Sequence, residues 1–285
     1  MKIIGVFIHP IKSCQRIELQ QAEVTPKGFV QDRDFMLVDQ NHKFMTQRQY
    51  PQLATIQVQL IEKKLILSVA SNQIEPFKLT PNFTGNPIKV QIWRDQTIAI
   101  DQGDEVAAWL QTVLQLPGEQ SCRLVRQSVD YPRLINPNYA TQPTDLVSFA
   151  DGYPFLLTNT ASLKEVNQRI QQNSTSQNVE IPMIRFRPNL VVETNQPFIE
   201  DTWRRIKIGE VELTLVKPCD RCTIITTHQS TGERHPLKEP LKTLSTFRKT
   251  PEGILFGQNL IPHNTGIIRV DDLVYVLERK ESKTN

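Results

Sequence analysis

The sequence predicts an α+β protein that is dominated by β-strands, with a few helices inserted between them. Three observations support this prediction. Short runs rich in Val, Ile and aromatic residues recur between polar clusters, and several of these runs are paired across short turn segments. No Gly-rich turn joins a strand to a helix, and strands do not alternate with helices along the chain. A Rossmann or P-loop fold is therefore not expected.

The first strands are predicted in the N-terminal third of the chain. Each run is short, is bounded by polar residues and carries the β-branched and aromatic side chains that favour strands. The stretch from Thr55 to Val69 is typical of a hairpin that turns at Glu62-Lys63-Lys64. The predicted strands are Lys2–Ile8, Asp34–Val38, Thr55–Leu60, Leu65–Val69 and Ile88–Trp93.

Two more hairpins are predicted in the C-terminal half. In each of them, two apolar runs flank a two-residue segment whose composition favours a tight turn. The first joins Arg205–Ile208 to Val211–Val216 across Gly209-Glu210, and the second joins Ile267–Val270 to Val274–Leu277 across Asp271-Asp272.

The most distinct predicted helix follows the N-terminal strands. Asp104 is a residue type that caps helix N-termini, and the apolar residues after it repeat at spacings of three and four. Pro117-Gly118 ends the pattern. The apolar face consists of Val106, Trp109, Leu110, Val113 and Leu114.

Two other helices are predicted further along the chain. The second runs from about Thr160 to Gln171, and the third begins near Pro240, a residue type suited to the first helical turn. The segment Gln171–Val179 is rich in Asn, Ser and Gln and is predicted to be an exposed loop. The inward-facing residues are Leu163, Val166 and Ile170 in the second helix, and Leu241, Leu244 and Phe247 in the third.

The domain organisation is predicted from the chain length and from one break. A chain of 285 residues forms one large domain or two ordinary ones. A natural break falls near Pro117–Ser121, after the first helix. We therefore expect an N-terminal β-rich domain over residues 1–120 and a larger β domain over residues 121–280.

The composition excludes several classes of protein. Hydrophobic residues make up 39% of the chain, which is enough to build a core, so a disordered or collagen-like chain is not expected. The net charge of +3 is too small, and the charges too evenly spread, to favour nucleic acid as a partner. No apolar run approaches the roughly 20 residues of a membrane span, and the apolar N-terminus ends at His9-Pro10, too early for a signal peptide. Because four cysteines do not make a disulfide scaffold, a cytoplasmic location is expected.

The sharpest local motif is the Cys-x-x-Cys pair within Lys217-Pro-Cys-Asp-Arg-Cys-Thr223, for which four interpretations are open. A structural zinc site would need two more ligands, but the sequence has no second C-x2-C or H-x3-H pair. A redox dithiol would open a helix, whereas this pair ends a predicted strand. One thiolate, favoured by Lys217 and Arg221, can be a soft ligand for a transition metal or a metal cofactor. Alternatively, both cysteines are small buried hydrophobic residues.

This motif is one of seven segments that occur in a characteristic order: Gly5–Cys14, Gly28–Val38, Phe44–Arg48, Phe149–Phe155, Phe186–Val192, Cys219–Cys222 and Leu255–Asn259. In this order they resemble the MOSC family of molybdenum-cofactor proteins, and within it the mitochondrial amidoxime-reducing component and its bacterial relatives. The resemblance extends from Lys2 to about Glu278. It implies a β-rich N-terminal MOSC subdomain followed by a β-barrel MOSC domain.

The resemblance implies functional roles for eleven residues. Cys222 matches the catalytic cysteine that ligates molybdenum in the family. A pyranopterin dithiolene and oxo groups complete the coordination of the metal in those proteins. Lys12, Ser13 and Arg33 match positions that hold the pterin and the phosphate of the cofactor. The other matching positions at the cofactor site are Asp151, Gly152, Arg187, Asn189, Asp220, Arg221 and Asn259.

The chemistry of these residue types suits the implied roles. Arg offers a planar fork and Lys a point charge to a phosphate, and Asp and Asn match the donor and acceptor edge of a pterin. Cys219 is expected to pack or hydrogen-bond near Cys222 without binding the metal. Arg48 and Trp203 are interpreted as structural.

The resemblance implies an enzyme that uses the molybdenum cofactor (Mo-molybdopterin) to reduce N-hydroxylated compounds, such as amidoximes, hydroxylamines or N-hydroxylated nucleobases. A separate protein of the ferredoxin, flavodoxin or cytochrome type is expected to supply the electrons. The sequence has no spare cysteines for a four-cysteine iron–sulfur cluster, and no N-terminal anchor is expected. The alternative is a non-catalytic module that carries molybdenum cofactor or persulfide sulfur.

Overall fold

The computed structural model describes residues 1–71, 73–173 and 180–281. Strands dominate these residues, with three α-helices and four 3₁₀ helices between them. This confirms the prediction of a strand-dominated α+β protein. The α-helices are α1 (Asp104–Leu114), α2 (Thr160–Asn173) and α3 (Leu241–Phe247), and the 3₁₀ helices are Pro51–Thr55, Met183–Phe186, Ile199–Thr202 and Thr223–Thr226.

The strands of the described residues form one large sheet and four smaller ones. In chain order they are β1 (Lys2–Ile8), β2 (Ile17–Leu19), β3 (Gln21–Thr25), β4 (Gly28–Phe29), β5 (Phe35–Asp39), β6 (Gln57–Ile61), β7 (Lys64–Ser68), β8 (Phe77–Leu79), β9 (Pro87–Ile92), β10 (Asp95–Asp101), β11 (Cys122–Gln127), β12 (Arg133–Leu134), β13 (Leu146–Val147), β14 (Phe155–Asn159), β15 (Leu190–Glu193), β16 (Trp203–Ile208), β17 (Val211–Arg221), β18 (Lys249–Thr250), β19 (Gly253–Pro262), β20 (Gly266–Arg269) and β21 (Val274–Arg279).

The large sheet combines strands from both ends of the chain. Its order is β2-β1-β15-β14-β19-β17-β16-β21, with β18 beside β19. Neighbouring strands are antiparallel except β14 and β15, which run parallel. The Ile3 N–H donates to the Asp272 carbonyl at 2.9 Å, and Lys2 forms an antiparallel bridge with Leu273. The first strand therefore contacts the segment that leads into the last one, which gives the sheet a barrel-like shape.

The smaller sheets complete the fold. One has the order β5-β11-β10-β9 and another the order β6-β7-β8, while β20-β3-β4 and β12-β13 form the remaining two. Strand pairing crosses the predicted division at residue 120, because β1 pairs with β15 and β11 pairs with β5 and β10. The division into residues 1–120 and 121–280 therefore stays a proposal.

Two large apolar clusters form most of the core. The first is enclosed by the large sheet and contains Trp203, which is fully buried, in agreement with its structural interpretation. The second lies under α1 and contains Val106, Leu110 and Leu114. Burial of these apolar side chains is the main source of stability for a fold of this kind.

Two of the three predicted hairpins are confirmed. In the first, β6 pairs with β7, and the turn residues Glu62 and Lys63 have φ of 49° and 66°. Positive φ at both central residues is typical of the turns whose twist matches a two-residue hairpin. In the second, β16 pairs with β17 around Gly209, which has φ of 56°.

The third predicted hairpin is wrong. The chain turns at Asp271-Asp272, but β20 pairs with β3 and β21 pairs with β16. The Asp271 N–H donates to the Ile3 carbonyl at 2.8 Å, so β1 takes the backbone groups of this turn. The strands on either side therefore diverge into different sheets.

All three predicted helices are present, and Val166, Ile170 and Leu244 are buried as expected. The predicted cap is wrong, because Gly103 is the N-cap residue of α1 and Asp104 is its first helical residue. Gln171–Asn173 of the predicted loop end α2, and the rest of that loop up to Val179 lies outside the described residues. Among the described residues, no helix is both long and apolar enough to span a membrane.

Candidate active site

One cleft brings together all eleven residues that the sequence singles out. They come from the loop after β1, the turn before β5, the loop after β13, the segment before β15, the end of β17 and strand β19. Arg48 and Thr46 also line the cleft. The predicted residues in it are Lys12, Ser13, Arg33, Asp151, Gly152, Arg187, Asn189, Asp220, Arg221, Cys222 and Asn259. Their functional roles stay predictions.

Backbone hydrogen bonds between distant segments set the geometry of the cleft. The Lys12 N–H donates to the Phe35 carbonyl and the Arg33 N–H donates to the His9 carbonyl, both at 2.8 Å. Ser13, Arg33 and Arg187 have φ of 71°, 52° and 55°, in the left-handed region that these residue types rarely adopt. Such strain persists only where the surrounding structure imposes it, and it is concentrated at functional sites.

Arg33 is held rigidly at the base of the cleft. Its Nη1 donates to both carboxylate oxygens of the buried Asp32, at 2.7 and 2.6 Å, and to Asn189 Oδ1 at 3.0 Å. Asn189 in turn accepts the Leu156 N–H and donates to the Phe7 carbonyl. Both the oxygen and the nitrogen of the Asn189 amide are therefore engaged by protein groups, one of which is Arg33.

Arg187 is a half-buried cation that lacks a carboxylate partner among the described residues. Its Nη1 donates to the Cys14 carbonyl at 2.8 Å and to Gln229 Oε1 at 3.3 Å, and it forms no ion pair within the part of the chain that the structure describes. Burial and the neighbouring Arg33 lower the pKa of Arg187 to about 9. The guanidinium therefore remains charged at neutral pH and favours an anionic ligand.

Lys12 and Asp151 form an ion pair across the cleft. Lys12 Nζ is 2.5 Å from Asp151 Oδ1 and also donates to the Phe149 carbonyl at 2.9 Å. Burial lowers the pKa of Lys12 to about 8, although Asp151 opposes this shift. Desolvation would raise the pKa of Asp151, but the charge and the hydrogen bond of Lys12 outweigh it and hold that pKa well below its usual range. Arg133 fixes the loop through the Ala150 and Asp151 carbonyls.

The pKa of Lys12 gives an anion-binding prediction for the cofactor-free protein. Sulfate keeps its charge above neutral pH, so its affinity for the cleft should fall as the pH rises through about 8 and Lys12 loses its proton. Lys12→Met should bind sulfate about tenfold more weakly at pH 7 and should lack this pH-dependent step. Calorimetric titration between pH 6.5 and about 8, below the pKa of about 9 at which Arg187 loses its proton, measures both effects. An unchanged step in Lys12→Met would assign it to another group.

The two cysteines of the Cys-x-x-Cys motif have different cationic neighbours. Arg48 Nη1 lies 3.3 Å from Cys222 Sγ, and Arg221 Nη1 lies 2.9 Å from Cys219 Sγ. The cation in contact with the Cys222 sulfur is therefore Arg48, and the expectation that Arg221 favours a ligand thiolate stays a prediction. Desolvation raises the pKa of Cys219, although the charge of Arg221 opposes this shift. The raised pKa favours a neutral thiol at Cys219, which hydrogen-bonds with Arg221 as expected.

The described residues contain no group of three or more His, Cys, Asp or Glu side chains arranged to hold a metal ion. The cysteine pair therefore lacks the further protein ligands of a structural zinc site. A metal bound at Cys222 would have to bring other ligands with it. This requirement agrees with the interpretation that one thiolate binds a metal cofactor.

The donor set of the cleft fits an anionic cofactor. Its lining includes five cationic side chains, from Lys12, Arg33, Arg48, Arg187 and Arg221, and only two carboxylates, from Asp151 and Asp220. The Arg221 Nε atom is buried without a partner among the described residues. Unpaired buried donors and excess positive charge are stabilised by a phosphate, which accepts charge-assisted hydrogen bonds. The residues present therefore fit the molybdenum cofactor with its phosphate.

Two predicted residues have weaker geometric support. A Cβ atom on Gly152 would meet no atom within 4 Å, so close packing among the described residues does not require a glycine there. Asn259 lines the cleft from β19, where its backbone pairs with Leu156 and Lys217.

The sequence interpretation missed Arg48 as a residue of the site. It stands at the end of the Phe44–Arg48 segment that contributed to the resemblance, and this position was the available signal. In the structure Arg48 lines the cleft, contacts the sulfur of Cys222 and lies over the ring of Trp93, so a role beyond the structural interpretation becomes a proposal.

Fold and cleft together define a strand-dominated protein with a cation-rich cleft that also contains the Cys-x-x-Cys pair. The chain belongs to the MOSC family. The family model described as the MOSC N-terminal beta barrel domain matches residues 1–117, and the one described as the MOSC domain matches residues 144–275.

Relatives of known name are similar over nearly the whole chain. Mitochondrial amidoxime-reducing component 1 of Mus musculus is 32% identical, with 96% of this chain and 82% of the relative covered. The Homo sapiens protein of the same name is 31% identical with the same coverage. Molybdenum cofactor sulfurase of Danio rerio is 30% identical over 86% of this chain, which spans only 30% of the sulfurase.

Proposed function

We propose that this protein is a molybdenum-cofactor-dependent reductase of N-hydroxylated compounds such as amidoximes, hydroxylamines and N-hydroxylated bases. The observation that carries the proposal is a cleft whose lining combines five cationic side chains with the partly exposed Cys-x-x-Cys pair. The relatives named amidoxime-reducing components, which align over 96% of the chain, support the same reaction.

Each part of the cleft has a proposed task. When bound, the molybdenum cofactor supplies the two-electron exchange that reduces an N–O bond. Cys222 provides the thiolate ligand of the metal, and Arg48 donates a hydrogen bond to its sulfur. Arg33 and Arg187 bind the phosphate, since Arg187 has no carboxylate partner among the described residues. Asp220 lies beside the cysteine pair and is assigned to the pterin edge.

The test is purification from a host that makes the cofactor, followed by molybdenum analysis and a benzamidoxime reduction assay. We expect stoichiometric molybdenum and reduction with reduced viologen as donor. A fully loaded protein that reduces neither benzamidoxime nor a simple hydroxylamine would contradict the proposal.

A carrier of molybdenum cofactor or sulfur is the second candidate. The observation that favours it is the similarity to molybdenum cofactor sulfurases at 28–30% identity. A persulfide carrier should contain cyanide-labile sulfur without molybdenum, so the same purified sample distinguishes the two candidates.

We propose that a separate redox protein supplies the electrons. A four-cysteine iron–sulfur cluster would use all four cysteines of the sequence, including Cys222, which we assign to the metal. The purified chain should therefore show no cluster absorbance and no turnover with NADH alone, while reduced viologen or a reduced donor protein restores turnover. Direct NADH-driven reduction by the isolated chain would refute this assignment. A cytoplasmic location without a nucleic-acid partner stays a prediction from composition.

A further inference from the structure

Trp93 lies at the tip of the β9–β10 hairpin, beside the candidate active site. Its indole N–H donates to Asp151 Oδ1 at 3.2 Å, and the Arg48 guanidinium lies 4.4 Å from its ring centroid. The Phe44 ring packs at 5.1 Å between centroids. Despite these contacts the side chain is 44% exposed. Asp151 and Arg48 line the cleft, so the indole contacts two of its lining residues.

The geometry of the turn does not favour a tryptophan at this position. Ile92 pairs with Asp95, so Trp93 and Arg94 form a two-residue turn, and Trp93 has φ of 55°. Positive φ in such turns favours Gly, Asn or Asp, and a bulky side chain there is disfavoured. The ring packs against Arg48 and Phe44, but it is 44% exposed, so part of its surface remains free to contact a ligand. A residue that conflicts with the preference of its turn is expected where function requires it.

We propose that Trp93 and Arg48 form a stacking platform that selects planar, π-conjugated N-hydroxylated substrates, an inference that rests on the proposed reductase function. Arg48 links Trp93 to the cysteine pair. Its guanidinium lies 4.4 Å from the centroid of the indole ring, and its Nη1 lies 3.3 Å from Cys222 Sγ. A flat group gains dispersion and π contacts on an indole or a guanidinium plane. Trp93 determines specificity and takes no part in the chemistry.

A matched pair of substrates tests the platform in the molybdenum-loaded protein. Benzamidoxime carries a planar ring, and cyclohexanecarboxamidoxime carries the same reactive group on a saturated ring. The wild-type protein should have the lower KM for benzamidoxime. The KM ratio is the KM for cyclohexanecarboxamidoxime divided by the KM for benzamidoxime. In Trp93→Ala this ratio should fall roughly five- to tenfold. Trp93→Phe should retain most of the ratio although it loses the N–H bond to Asp151, which separates stacking from hydrogen bonding.

The control is Trp109→Phe. Trp109 belongs to α1, where its indole N–H donates to the Glu75 carbonyl, outside the cleft, so the KM ratio should not change. Trp93→Leu keeps an apolar side chain without a π surface, and it replaces Trp93→Ala if that variant does not fold. An unchanged ratio in the alanine or leucine variant overturns the platform.

Failure of the proposed function is distinguishable from failure of the platform. If the loaded wild-type protein reduces neither substrate, the reductase proposal falls, and the platform is tested by binding alone. Benzamidoxime should then quench tryptophan fluorescence more strongly than its saturated analogue does, and this difference should disappear in Trp93→Ala. Equal quenching by both compounds in the wild-type protein would overturn the platform.

Discussion

Cys222→Ser is expected to reduce turnover per bound molybdenum to near background while part of the cofactor binding remains. A thiolate ligand donates charge directly to the metal and tunes its redox potential, and a serine oxygen is a harder donor that does not reproduce this effect. The proposed phosphate contacts come from Arg33 and Arg187, which the substitution leaves in place. The measurement is benzamidoxime reduction divided by molybdenum content, which separates lost chemistry from lost cofactor.

Cys219→Ser is the matched control for this substitution. Cys219 lies three residues away in the same cleft, but its sulfur accepts a hydrogen bond from Arg221 at 2.9 Å, whereas Cys222 is the partner of Arg48. A serine hydroxyl can accept the same bond from Arg221. Turnover per molybdenum should therefore be largely retained. An inactive Cys219→Ser with an active Cys222→Ser would reverse the ligand assignment, and two active variants would reject a thiolate-dependent mechanism.

Elements whose signals are local were predictable from the sequence. The apolar spacing of Val106, Leu110 and Leu114 defines one helix face whatever the helix packs against, so α1 was found within two residues of its ends. The hairpin around Gly209 was found because its turn chemistry agrees with the flanking strands. At Asp271-Asp272 the turn signal is equally clear, but β1 competes for the backbone groups of the turn. Because β1 lies at the other end of the chain, the sequence around Asp271-Asp272 gives no signal of this pairing.

The candidate site shows the same limit. Its eleven predicted residues were found through the order of whole segments, and the structure places them all in one cleft. The contact of Arg48 with Cys222 was not predictable, because the two residues are 174 positions apart. The contact of Trp93 with Asp151, 58 positions away, was not predictable for the same reason. An arginine that follows Met-Thr-Gln has no local feature that distinguishes it from a surface residue. Only the folded chain shows that it lies between a thiol and an indole.

Arg187→Ala is expected to lower cofactor affinity by roughly ten- to a hundredfold, because a charge-assisted contact to a phosphate is worth about 1.5–3 kcal/mol. Arg187 is the cation of the cleft with the clearest need for an anion. It is half-buried beside Arg33, and among the described residues its side chain bonds only to neutral groups, the Cys14 carbonyl and Gln229. Molybdenum content after purification, followed by its loss on dilution and gel filtration, measures the change.

Arg185→Ala supplies the control for Arg187→Ala from the same 3₁₀ segment. Arg185 is buried, donates to the Thr226 carbonyl at 2.8 Å and does not line the cleft. The Arg185→Ala substitution should lower thermal stability without changing the molybdenum content of the folded fraction. Because a ligand that binds only the folded state raises the melting temperature, sulfate should stabilise cofactor-free wild-type protein and Arg185→Ala by similar increments, and Arg187→Ala by much less. Equal molybdenum loss in both variants, with equal sulfate increments, would show that Arg187 supports the fold and does not bind the phosphate.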